Sequence, residues 1–180
     1  MVYLFLANGF EEMEALAPLD ILRRANISVL SVGVGGIIIE GAHGVKVTAD
    51  IGESEVDFSS MDMIILPGGG LGTENLGRSD TVKRAIAHCF ENGKHMAAIC
   101  AAPSVLGECG VLKGRRAVCF PGFEEQLEGA VIPSGEFVVT DGNITTAKSA
   151  GHALAFGIEL VRVLKGDALS KEVSNGMMQV

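Results

Sequence analysis

Unbroken apolar runs alternate along this chain with stretches of helical spacing. Val2–Ala7 is a short apolar run that closes at Asn8-Gly9, the pattern of a strand buried on both faces and ended by a turn. From Glu11 to Ala25 the spacing is helical. The first turn is acidic (Glu11, Glu12, Glu14), the end is basic (Arg23, Arg24), and Asn26 is placed to cap it, in agreement with the helix dipole. Pro18 inside this stretch predicts a kink or a loosened turn. Ser28–Val32 reads as the next strand, and Ile37–Glu40 with Val45–Thr48 as a small hairpin around His43-Gly44. Met63–Leu66 is a strand running into Pro67-Gly68-Gly69-Gly70. Thr73–Asn75 and Thr81–Asn92 predict a short and a longer helix. Met96–Ile99 is a strand that stops at Cys100, after which Pro103–Cys109 returns to helical spacing. Ala117–Phe120, Phe137–Thr140 and Ile144–Ala147 predict three more strands. Ala153–Leu164 is the closing helix, stopped at Lys165-Gly166.

Strands that read as continuous Ile/Val/Leu runs and alternate with helices imply an α/β fold whose parallel sheet is covered on both faces. With no repeat and no linker, one doubly wound domain over residues 1–180 is expected. In such sheets sites form outside the carboxyl ends of the strands. Asn8–Glu14, Pro67–Gly70 and Cys100–Pro103 all meet that condition.

Composition narrows the partners. The 180 residues are 48% hydrophobic and carry a formal charge of −8, so a well-filled core and an acidic surface are expected. That surface repels phosphate backbones and anionic lipid, which argues against nucleic acid and membranes as partners. The apolar opening run is too short for a membrane span or a secretory leader. The four cysteines, Cys89, Cys100, Cys109 and Cys119, form no Cys-x-x-Cys pair and no metal-ligand spacing. Free thiols, no metal and a cytoplasmic location are the corresponding expectations.

The chemistry concentrates at Ala98-Ile99-Cys100-Ala101-Ala102-Pro103. Small neighbours let a strand turn sharply into a helix and leave the side chain at the bend exposed, as a nucleophile elbow requires. Pro103 suits the first turn of the helix, whose N–H groups are expected to lower the thiol pKa. An isolated cysteine is more often a small core residue, and Cys89 and Cys119 fit that description. Pro67-Gly68-Gly69-Gly70 lacks the Lys-Ser/Thr of a phosphate loop. It reads as a close backbone approach in which Gly69 N–H faces an oxyanion, against the plainer reading of a loop. Gly68 and Gly70 are candidate pocket positions beside it. Glu11 and Glu12 fit solvated dipole partners, whereas Glu14 precedes Ala15-Leu16-Ala17 and points inward; a partly buried carboxyl beside a thiol has a raised pKa and can carry a proton. Among His43, His88, His95 and His152 none has the spacing of a Cys-His pair, although His43 and His152 fall where they can approach a site.

Gly9-Phe10-Glu11-Glu12-Met13-Glu14, Leu66-Pro67-Gly68-Gly69-Gly70 and Ala97-Ala98-Ile99-Cys100-Ala101-Ala102-Pro103 together resemble the ThiJ/PfpI family (the DJ-1 superfamily), on its DJ-1/YajL-like side. The resemblance spans essentially the whole chain. It implies a flavodoxin-like, class I glutamine amidotransferase-like sandwich with helices on both faces of a mostly parallel sheet, and a homodimer. It also implies an easily oxidised nucleophile at Cys100, a protonated Glu14 bonded to it, and oxyanion donors at the backbone of Gly69 and Ala101. Implied activities are cofactor-independent conversion of methylglyoxal to lactate, repair of glycated protein, oxidative-stress sensing and chaperoning. The partners are then a small carbonyl substrate or a glycated protein. The chain departs from the pattern at Phe120, which precedes Pro121 where many relatives have histidine, and at Ala101, where peptidase-type relatives have histidine. The basic residue often found before the last turn is Lys148. These departures count against rapid proton shuttling and against peptidase activity. Two functions remain open, an enzyme acting on α-oxoaldehydes or their adducts and a redox sensor or chaperone, because both use the same sulfur.

Overall fold

The computed structural model describes residues 1–177; the last three residues of the expected 1–180 domain lie outside them. In chain order the elements begin β1 (Val2–Ala7), α1 (Glu12–Arg24), β2 (Val29–Val34), β3 (Ile38–Glu40), β4 (Lys46–Thr48), β5 (Ile51–Gly52), β6 (Met63–Leu66) and α2 (Gly70–Arg78). They continue α3 (Asp80–Glu91), β7 (His95–Ile99), α4 (Pro103–Glu108), β8 (Val138–Asp141), β9 (Ile144–Ala147), α5 (Ala153–Lys165) and α6 (Asp167–Gly176). Among the described residues seven strands form one sheet in the order β5-β2-β1-β6-β7-β9-β8, and β3-β4 stand apart as an antiparallel hairpin. Every pairing in the large sheet is parallel except β8 with β9. The five long parallel strands therefore follow the flavodoxin-like order, which reverses direction between β1 and β6.

Period-2 alternation divides β1 between two cores. Tyr3, Phe5 and Ala7 pack with Ile64, Leu66 and Ala98 against Val82 and Ile86 of α3 and Leu106 of α4. Val2, Leu4 and Leu6 pack with Ile65 and Ile99 against Leu19 and Leu22 of α1 and Phe156 and Leu160 of α5. Each fully buried Leu or Phe contributes about 1.5–3 kcal/mol relative to exposure, and Leu4, Phe5, Leu6 and Phe156 are all fully buried. This double cover holds the carboxyl ends of β1, β6 and β7 in fixed register. No helix of the described residues is long and apolar enough to cross a membrane.

Several elements differ from expectation. Ala117–Phe120 is not a strand: only Arg116 forms an isolated bridge, with Val131. The reason is that its N–H groups find other partners. Val118 N–H donates to Thr146 Oγ1 at 2.9 Å, and Phe120 N–H to the Cys100 carbonyl at 2.7 Å. The expected short helix at Thr73–Asn75 extends over the whole of α2, starting from Gly70. α1 runs unbroken through Pro18, which has no N–H with which to close the helical bond to the Glu14 carbonyl. β5 and α6 were not anticipated; β8 pairs antiparallel with β9 at the edge of the mostly parallel sheet that was expected.

Candidate active site

Three turns meet at the carboxyl edge of the sheet. Glu11, between β1 and α1, receives the Glu14 N–H on its side chain at 2.8 Å and so caps α1. Its own N–H donates to the Gly68 carbonyl at 3.0 Å, which ties the first turn to the second. The third turn carries Cys100, whose N–H donates to the Ala147 carbonyl at 2.9 Å while its carbonyl accepts from Phe120.

The glycines of the second turn are there for lack of space. A β-carbon at Gly68 would fall 2.5 Å from Glu14 Oε2 and 2.6 Å from Cys100 Cβ. One at Gly69, where φ is +93°, would collide with the Gly9 carbonyl. Cys100 itself has φ of +68°, a left-handed conformation that an L residue holds at a cost of about 1–3 kcal/mol. The two backbone bonds and the small neighbours Ala101 and Ala102 maintain it. The side chain is partly exposed.

Glu14 forms the wall beside that sulfur. It is 1% exposed, and its Oε2 accepts the Gly68 N–H at 3.0 Å. Its Oε1 is buried with no hydrogen-bond partner among the described residues. Burial pushes the carboxyl up from 4.5 to about 7, against the pull of the neighbouring Cys100 side chain and of the Gly68 N–H. Burial also pushes the Cys100 thiol up to about 12, reinforced by the Glu14 charge and opposed by the Gly69 and Ala101 N–H groups. This reverses the expectation that the helix start lowers the thiol. Two N–H groups are outweighed by desolvation and by a carboxylate in contact. The arrangement is a protonated thiol next to a base that is half ionised near neutrality.

The other expected positions are distributed around this centre. Gly70 opens α2 and is exposed. Lys148 lies over the Phe137 ring, Nζ 5.6 Å from its centroid. His43 Nδ1 is 2.7 Å from Glu12 Oε2, and its backbone N–H donates to the same carboxylate. Glu12 is 8% exposed, so it is this histidine's partner and not a solvated dipole residue. Glu11, Glu12 and His43 bring possible ligand atoms within 4.8 Å of one another. Glu12 is satisfied there by His43, and Glu11 by the Glu14 N–H. Glu11 carried a signal in the sequence, since a carboxylate three residues before Glu14 at a helix start is a cap. His152 stacks on Phe137 at 4.6 Å and bonds Ser149, and His95 begins β7 at the other end of the sheet. Cys89 and Cys119 are buried, with thiols pushed up to about 12 and about 11, and Cys109 is exposed.

Comparison with known proteins bears on the family and the fold. The model of the DJ-1/PfpI family matches residues 1–163. Protein dj-1beta of Drosophila melanogaster is 34% identical over 175 residues, covering 96% of this chain and 94% of that one. Its crystal structure superimposes with a TM-score of 0.92 at 33% identity, covering 99% and 97% of the two chains. A deglycase of Pyrococcus abyssi is 31% identical over 165 residues, or 91% of this chain and 99% of its own. DJ-1 homolog B of Arabidopsis thaliana is 33% identical over 175 residues; the match takes in 96% of this chain but 40% of that longer protein.

Proposed function

The chain belongs to the DJ-1/PfpI family, and on that premise we propose that it is a cysteine-dependent stress-response enzyme of deglycase or glyoxalase type, acting on α-oxoaldehydes or their protein adducts. The observation that carries this reading is the contact between Cys100 and a buried carboxyl poised at about 7. A base is most effective when its pKa lies near the working pH. Relatives named as deglycases at just over 30% identity support the substrate class.

With methylglyoxal, the Cys100 sulfur forms a bond to the aldehyde carbon while its proton passes to Glu14. The carbonyl oxygen gains the electron pair and is held by the Gly69 and Ala101 N–H groups. Glu14 returns the proton to that oxygen, giving a hemithioacetal. It then takes the C1 proton and delivers it to C2 while the proton of the C1 hydroxyl passes to the C2 oxygen, which leaves a lactoyl thioester. Water hydrolyses the thioester to lactate and frees the thiol, so the sum is methylglyoxal plus water to lactate with no oxidant. Gly68 N–H fixes the carboxyl for each transfer.

Lactate formation from methylglyoxal is the test, comparing wild type with Cys100→Ser and Glu14→Gln. Loss of activity in both variants is expected, and equal rates in all three end the reading. A sensor or chaperone role is the second reading, favoured by the partial exposure of Cys100 and by the two N–H donors suited to sulfinate oxygens. Mild peroxide should then add two oxygens at Cys100 alone; earlier reaction of Cys89 or Cys109 rules it out. The same proposal takes the chain to be a cytoplasmic homodimer, checked by its mass in solution.

A further inference from the structure

A cavity of about 370 Å³ lies between α2 and α4, beside the turns that carry Gly69 and Cys100 but formed by different side chains. Thr73, Glu74, Gly77 and Arg78 of α2 line one side, and Ser104, Val105 and Glu108 of α4 the other. Phe123 and Gln126 close the end.

Its polar groups are unevenly satisfied. Thr73 is 6% exposed, yet its hydroxyl oxygen has no hydrogen-bond partner among the described residues. A buried hydroxyl without a partner costs about 1–3 kcal/mol, so its persistence beside a cavity points to a ligand group. Ser104 spends its proton on the Ala101 carbonyl at 2.7 Å and offers only lone pairs. Arg78 is paired with Glu74 at 3.3 Å. Glu108 has no hydrogen bond or ion pair among the described residues and reaches across the gap, its Oε2 3.7 Å from where a β-carbon on Gly77 would sit. Acceptors thus exceed donors and the net formal charge is negative. Val105, Phe123 and the bare backbone of Gly77 leave an apolar channel beside them.

We propose that this cavity binds a small organic cation, a guanidinium or primary ammonium on a short aliphatic stem. Glu108 meets its charge, Thr73 and Ser104 accept its N–H groups, and the stem lies along Val105 and Phe123, whose ring face also attracts a cation. The site goes beyond the reaction at Cys100 and does not depend on it.

The probe is butylguanidinium, titrated into isotope-labelled protein while the amide signals of Thr73, Gly77, Glu108 and Gln126 are followed. Butylurea, neutral and nearly isosteric, is the control. Saturable shifts with butylguanidinium alone are expected, weakened about tenfold by Glu108→Gln and also by Thr73→Val. Equal shifts with butylurea, no saturable shift with butylguanidinium, or unchanged affinity in Glu108→Gln overturns the proposal. Glu108 is exposed, so its variant remains informative even if Thr73→Val fails to fold. Binding of N-acetyl-arginine methylamide as well as butylguanidinium identifies a protein side chain as the source, and binding of butylguanidinium alone identifies a free cation. The readout needs no turnover, so failure of the proposed reaction and failure of this site are separable.

Discussion

Glu14→Gln keeps the shape of the wall beside Cys100 and removes its charge. Burial lifts this carboxyl from 4.5 to about 7. At about 1.4 kcal/mol per pH unit, that interval means that ionising Glu14 costs the fold roughly 3 kcal/mol. Its exposure of 1% leaves little solvent screening to reduce the figure. The folded-state value lies above the unfolded one, so the folded chain holds the proton more tightly. The contribution is fully present below 4.5 and is lost as pH rises through about 7. Glutamine has no such proton. Between about pH 4 and pH 8, wild-type stability should therefore fall by roughly 3 kcal/mol more than that of the variant, measured by urea unfolding at each pH. The same substitution takes away the charge that helps to raise the Cys100 thiol, so the midpoint of Cys100 alkylation by iodoacetamide should move to lower pH. Parallel stability curves, or an unmoved alkylation midpoint, would refute the account of the pair.

Two further outcomes test the turns themselves. Because φ at Cys100 is +68°, Cys100→Gly should be more stable than Cys100→Ala by about 1 kcal/mol, although glycine usually destabilises an ordered position; the reverse order in urea unfolding would show that the bend carries no strain. Gly69→Ala places a β-carbon against the Gly9 carbonyl at φ of +93°, so a loss of about 1–3 kcal/mol or more is expected in thermal unfolding, and unchanged stability would mean that the two turns separate easily.

The convergence of Asn8–Glu14, Pro67–Gly70 and Cys100–Pro103 was legible because each follows an unbroken apolar run, and the carboxyl ends of parallel strands share one edge. The inward turn of Glu14 was legible from the small and apolar residues after it. Other features had no local signature. Ala117–Phe120 has the composition of a strand, but Thr146 and the Cys100 carbonyl take its N–H groups from distant parts of the chain. The partnership of Glu12 with His43 joins residues 31 positions apart, so helix-dipole reasoning about Glu12 alone missed it.

By itself the sequence determined which residue types meet: apolar runs specify buried strands, and glycines and alanines mark where backbones approach closely, since both follow from local volume and periodicity. The protonation of the centre was decided only in the tertiary structure. Helix-start N–H groups argued for an acidic thiol, whereas the folded chain sets a half-buried Cys100 against a buried Glu14 and raises both. Desolvation and charge depend on everything that surrounds a group in space, and the residues adjacent in sequence supply only a small part of that environment.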